Sequence, residues 1–149
     1  MALVVTAPLA GSVMLLGDVP DPAFAAGLVG PGLAIDPRED ATVATAPVAG
    51  RLVKLKPHAF VVIDGAGRAV LVHLGIDTVT LAGDGFSVLA SEGQDVAVGE
   101  PVVRWDPLAV AKRGLSPVCP VVALDAPAEV IKDPANGLIA LGGALYTWA

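Results

Sequence analysis

Pro57-His58-Ala59-Phe60-Val61-Val62-Ile63-Asp64-Gly65-Ala66-Gly67-Arg68-Ala69-Val70-Leu71-Val72-His73-Leu74 has two apolar arms rich in β-branched residues around a short polar centre. That pattern predicts a β-hairpin, with glycine supplying the positive φ that tight turns need. Centring the turn on Gly65-Ala66 sets Asp64 against Gly67, Ile63 against Arg68, and His58 against His73. These are the chain's only 2 histidines. Directly opposed residues of an antiparallel pair hold their Cβ atoms roughly 4.5–5.5 Å apart on one face. In this register His58, Phe60 and Val62 share a face with Ala69, Leu71 and His73, while Ala59, Val61, Ile63, Val70 and Val72 take the other. Both faces are largely apolar, so the hairpin is expected to be covered on both sides. A slip of one residue would send the imidazoles to opposite faces, which makes the turn length decisive.

The rest of the chain suits such a setting. Of its 149 residues, 54% are apolar and 16% charged, which excludes a disordered chain and gives one domain over residues 1–149 enough material for a core. Nine basic against 15 acidic residues give a net charge of −6. With no Lys/Arg cluster, the electrostatic footprint of a nucleic-acid binder is missing. The single cysteine, Cys119, excludes an internal disulfide, fits a reducing cytoplasm and reads as a small buried hydrophobe. Residues 1–17 carry no charge, but they lack a basic leader and are broken by Pro8, Gly11 and Gly17, so a strand and turn are expected rather than a signal or anchor.

The 17 glycines and 13 prolines are spread along the chain, which is the punctuation of many short strands. A repeat is visible: Ala7-Pro8-Leu9-Ala10-Gly11-Ser12-Val13-Met14-Leu15-Leu16 recurs as Ala46-Pro47-Val48-Ala49-Gly50-Arg51-Leu52-Val53-Lys54-Leu55. Two copies suit a sheet with approximate internal symmetry. Between them, residues 18–24 read as a turn. Short runs follow at 77–81, 83–89, 92–105, 118–124 and 138–141, with one short helix at Leu108–Arg113 ended by Gly114. An all-β fold is expected: an antiparallel β-sandwich or partly closed barrel of many short strands with little helix.

Four chemistries compete with a plain reading of two core histidines. A zinc site needs three or four ligands; His58, His73 and Asp77 could supply three, but no His-Glu-x-x-His or second cysteine is present. A Ser-His-Asp triad lacks a nucleophile elbow. The run Glu92-Gly93-Gln94-Asp95-Val96-Ala97-Val98-Gly99-Glu100-Pro101-Val102 looks like the hairpins of lipoyl and biotinyl carriers, yet neither methionine is followed by the lysine that would carry the group. A phosphoryl-accepting histidine asks for less: one neutral ring nitrogen and a second donor for the transferred oxygens. A paired imidazole fits that best.

The strings His58-Ala59-Phe60, Val72-His73-Leu74-Gly75-Ile76-Asp77-Thr78-Val79, Gly83-Asp84-Gly85-Phe86 and Glu92-Gly93-Gln94-Asp95-Val96-Ala97-Val98-Gly99 resemble the glucose-type enzyme IIA domain of the bacterial phosphoenolpyruvate-dependent sugar phosphotransferase system. The resemblance also takes in residues 18–25 and the strand start at Ala46–Gly50. It implies a cytoplasmic phosphocarrier of sugar uptake, needing no cofactor and no metal. Its donor would be phospho-HPr, its acceptor a cysteine on the IIB domain of a membrane permease, and regulatory proteins would be further partners. His73 would be the phosphoryl acceptor through Nε2, and His58 the group that stabilises the phosphoryl. Asp77 and Thr78 would shape the loop beyond the active strand. Phe24, Phe60, Gly75, Ile76 and Val79 would form the partner-binding collar. The alternative is a non-catalytic regulatory binding module of the same fold.

Two departures stand out. Lys56-Pro57 precedes His58, where many members place a Thr or Ser two residues before the histidine, within reach of the active imidazole. Without that hydroxyl, some other group must fix the tautomer of His73. The first strand is expected at the start of this sequence, and a membrane-attaching tail of the kind some members carry is not expected.

Overall fold

The computed structural model describes residues 1–149. Its strands, in chain order, are β1 (Leu3–Thr6), β2 (Gly11–Leu15), β3 (Gly32–Pro37), β4 (Val43–Thr45), β5 (Gly50–Lys56), β6 (Ala59–Ile63), β7 (Ala69–His73), β8 (Ser87–Val88), β9 (Asp95–Val96), β10 (Pro101–Arg104), β11 (Cys119–Ala123), β12 (Ile131–Lys132), β13 (Leu138–Ile139) and β14 (Ala144–Trp148). Two short helices, α1 (Pro22–Ala25) and α2 (Pro107–Lys112), complete it. Eight strands form one sheet in the order β13-β2-β3-β11-β7-β6-β5-β9, and two three-stranded sheets run β1-β14-β12 and β4-β10-β8. Every pairing is antiparallel. The sandwich encloses a core of 23 buried residues drawn from the large sheet (Leu33, Leu52, Phe60, Val72) and both small ones (Val5, Val103, Tyr146). The sheets do not close into a barrel.

The sequence repeat is a structural two-fold. Thr6 gives both its amide and its hydroxyl to the Pro47 carbonyl (2.9 Å each), and Thr45 does the same to the Pro8 carbonyl (3.1 and 3.3 Å). Ala7 exchanges backbone hydrogen bonds with Gly142 and Gly143, as Ala46 does with Gly99 and Glu100. Each copy then enters a strand of the large sheet through a glycine. A Cβ on Gly11 would run into the Asp36 carbonyl, and one on Gly50 into that of Ile63, so both copies need glycine for the same close approach.

The helices are set by matching signals. In each, an aspartate caps a proline-led turn: Asp21 Oδ1 accepts from the Ala23 and Phe24 amides (2.9 and 3.3 Å), and Asp106 Oδ1 from Leu108 and Ala109 (3.0 and 3.2 Å). The segment at 18–24, expected as a turn, therefore contains a single helical turn. The run 77–81, for all its alternation, is also a turn of 3-10 helix (Thr78–Leu81) with Asp77 and Ala82 left-handed on either side.

The central hairpin forms between β6 and β7 with its register one residue away from the expected one. Ile63 faces Ala69, Val61 faces Leu71, and Ala59, not His58, faces His73. The connection is a three-residue loop, Gly65-Ala66-Gly67, closed by the Asp64 amide donating to the Arg68 carbonyl (3.0 Å) with Gly67 left-handed at φ 82°. Phe60, Val62, Val70 and Val72 accordingly point into the main core. Ala59, Val61, Ala69, Leu71 and His73 take the outer face. There a second cluster of Leu16, Val19, Phe24, Ala34, Ile76, Val118 and Val122 covers part of the sheet.

Candidate functional site

His73 is the last residue of β7, on the outer face at the margin of that second cluster. Its Nδ1 lies 2.6 Å from the Gly75 carbonyl oxygen. A carbonyl only accepts, so Nδ1 carries the proton and Nε2, across the ring, keeps its lone pair. This contact supplies the tautomer control that the missing hydroxyl before His58 left open. It requires the chain to double back straight after the strand, which Gly75 does at φ +79°. A Cβ there would lie 2.6 Å from Thr78 Cγ2 and 3.0 Å from the Ser116 carbonyl oxygen. The loop is pinned by the Thr78 hydroxyl donating to the Leu74 carbonyl (2.7 Å) and by the Ile76 amide donating to that of Ser116 (2.9 Å).

His58 reaches the same place by another route. It sits with Pro57 in the two-residue turn between β5 and β6, where Lys56 pairs with Ala59. A turn residue is freed from the alternation of a strand, so the register that separates His58 from direct pairing does not separate the rings. Their centroids lie 5.2 Å apart, edge to face at 74°. The Leu74 amide donates to the His58 carbonyl at 2.7 Å and ties the two loops together. Phe24 also packs edge-on against His73, its ring centroid 5.3 Å away at 62°. The Asp21 cap on α1 holds it there.

Both histidines titrate below their usual 6.5. For His73, burial is the main cause, offset in part by the Gly75 carbonyl and by the Asp21 and Asp77 carboxylates. For His58, burial comes first, then repulsion from His73 and from the Lys56 ammonium. At neutral pH the site is therefore two half-buried neutral imidazoles, one with a fixed tautomer.

The expected site residues separate into two groups. Phe24, Gly75, Ile76, Asp77, Thr78 and Val79 all surround the histidine loop. Thr78 is fully buried with its hydroxyl bonded to Leu74, so it holds the loop and is not free for chemistry. Ile76 is 3% exposed and Phe24 7%, whereas Val79 at 61% is an open apolar contact. Phe60 does not belong with them: it is fully buried on the opposite face, opposed by Val72 in the main core. The one-residue register offset is the reason. Asp21 and the Gly75 carbonyl were missed; the Asp-Pro pair before Phe24 is a helix-cap signal that could have found the first. Cys119 is fully buried, its thiol raised to about 12 by burial, and it is no nucleophile. No three His, Cys, Asp or Glu side chains come close enough to share a metal ion. Neither histidine lines any of the surface hollows, which measure about 270–460 Å³, and both are partly exposed.

Residues 3–128 match the family model of the phosphoenolpyruvate-dependent sugar phosphotransferase system, EIIA 1. A glucose-specific EIIA component of Halalkalibacterium halodurans is 42% identical over 78% of this chain and 67% of its own length. A glucose-specific EIIBCA component of Corynebacterium glutamicum is 40% identical over 82% of this chain; the chain spans 18% of that longer protein. Among solved structures, the glucose permease IIA from Mycoplasma capricolum superposes with a TM-score of 0.93 at 31% identity, over 100% of this chain and 97% of its own. With a β-sandwich of the same shape, the chain belongs to the EIIA family of the phosphoenolpyruvate-dependent sugar phosphotransferase system, as one of its phosphotransferase components.

Proposed function

We propose that this chain carries a phosphoryl group on Nε2 of His73, taking it from phospho-HPr and passing it to a cysteine of a IIB domain during sugar uptake. The hydrogen bond from His73 Nδ1 to the Gly75 carbonyl carries this reading, because it leaves Nε2 as the free nucleophile at neutral pH. In the first step the Nε2 lone pair attacks phosphorus. The bond between phosphorus and the donor side chain breaks, and its electron pair stays with the donor. The acceptor ring then bears Nε2–P and Nδ1–H together and is formally cationic, which the Gly75 carbonyl and the nearby Asp21 and Asp77 carboxylates favour. His58 donates a hydrogen bond to a phosphoryl oxygen. In the second step an acceptor thiolate attacks, the N–P bond breaks, and its electrons return to Nε2.

An open apolar surface suits this better than a closed cleft. A protein donor and a protein acceptor must each reach the same nitrogen, while the apolar surroundings of Phe24, Ile76 and Val79 restrict water attack on the phosphohistidine. In this reading the sugar is chosen by the membrane domains. In this reading the chain works in the cytoplasm.

Incubation with phosphoenolpyruvate, enzyme I and HPr tests the reading by intact mass. The expected result is an acid-labile gain of about 80 Da, absent in His73→Ala. His58→Gln is expected to accept the group but hand it on slowly. An unmodified wild-type chain beside competent donors would overturn the carrier role and leave a regulatory binding module.

A further inference from the structure

We propose that Lys56 binds the phosphoryl group on His73 through its ammonium. The inference rests on the carrier reading above and on the strand register. Lys56 ends β5 and opposes Ala59 of β6, and Ala59 in turn opposes His73 of β7. Directly opposed residues share a face, so Lys56 and His73 stand in one row on one face with a single alanine between them. Strands lie about 4.8 Å apart, which puts the two backbones roughly 10 Å apart across Ala59. Ala59 is partly exposed and carries only a methyl group. The flexible four-carbon stem of lysine would carry the ammonium along this row toward a phosphoryl group on Nε2.

The ammonium is available. Lys56 is exposed, and the ion pairs of the molecule join Arg38 to Asp40, Arg68 to Asp64 and Arg113 to Asp84, none involving it. Its charge already bears on the site by helping to lower the pKa of His58. The other charges facing the pair, Asp21 and Asp77, are negative and repel a phosphoryl group of nearly two negative charges. Lys56 is the cation that offsets them. Lys54 lies on the same face one row further on, opposite Val61 and Leu71 and not in the row of His73.

The measurement is the equilibrium between phospho-HPr and this chain, read by intact mass at low ionic strength, with thermal melting to verify the fold. Lys56→Met, which keeps the stem and drops the charge, is expected to lower the equilibrium constant for acceptance about five- to tenfold. Lys56→Arg should stay within about twofold of wild type, and the difference should shrink in about 0.5 M salt. In phosphorus NMR the second ionisation of the phosphoryl group should move to higher pH in Lys56→Met. If wild type is phosphorylated and Lys56→Met reaches the same equilibrium, Lys56 is a solvated strand-end lysine and the proposal falls. If wild type itself takes no phosphoryl group, the carrier reading fails first.

Discussion

His73 illustrates how little a fold must add to a common side chain to make it a directed nucleophile. A single carbonyl, turned back by Gly75, selects the tautomer; burial keeps the ring neutral; and His58 stands ready with a second nitrogen. The same neutrality has a consequence for stability. Both histidines are held below 6.5 in the folded chain, while in the unfolded chain they return to about that value. Between the folded values and 6.5 the unfolded state binds more protons, so stability rises with pH there and is lost as pH falls below about 6.5. Replacing both with glutamine removes that dependence and leaves the carboxylates as they are. Urea midpoints at pH 7.5 and 5.5 should therefore fall less on acidification in the double variant than in wild type. Equal falls would mean that the imidazoles are not neutral by virtue of burial. The pairing of the histidines was legible in the sequence; the tautomer and the burial were not. The sequence marks two histidines, but the proton on Nδ1 depends on a backbone carbonyl two residues away.

At the scale of the elements, the hairpin between β6 and β7 shows where pattern reading reaches its limit. The alternation of apolar residues at 59–63 and 69–73 establishes two antiparallel strands, and those strands form. It does not choose between a two-residue turn and the three-residue loop that moves each pairing by one. That choice is made in the loop. Asp64 Oδ1 accepts from the Ala66 and Arg68 amides (3.0 and 2.8 Å), and Gly67 closes the loop at φ 82°. The histidines still meet, because His58 lies in the preceding turn and escapes the parity that moved Phe60 to the other face. Two glycine substitutions test the loop. Neither Gly65 nor Gly67 has an atom within 4 Å of an added Cβ, and only Gly67 is left-handed. Gly67→Ala should cost about 1–2 kcal/mol in urea unfolding. Gly65→Ala should be neutral or mildly stabilising, by up to about 1 kcal/mol, through a less flexible unfolded chain. The reverse order of effects would favour the two-residue turn.

Over the whole molecule, the repeat of Ala-Pro and Gly that the sequence displays becomes a clasp that holds the two related halves together. Each copy of Thr-Ala-Pro bonds to the other, and each then hands its chain from a small sheet to the large one. Half of this was legible: Pro and Gly at matched spacing mark the bends. The partners were not, because Gly99-Glu100 and Gly142-Gly143 share too little side-chain chemistry to announce their equivalence. A fold joined this way has no seam along which one half can leave, since the core of 23 residues takes side chains from both. Unfolding should then be a single transition in every part of the molecule. Thr45→Val removes the hydroxyl bond to Pro8 while keeping shape, and it should lower stability by about 1 kcal/mol. Trp105, just past β10, and Trp148, at the end of β14, lie in the two small sheets or directly beside them and report on them separately. With Trp148→Phe or Trp105→Phe as the background, the fluorescence of the remaining tryptophan can be followed alone. Thr45→Val should shift both midpoints equally, although Thr45 belongs to only one small sheet. Midpoints that separate would mean that each half unfolds on its own and that the clasp joins two independent units.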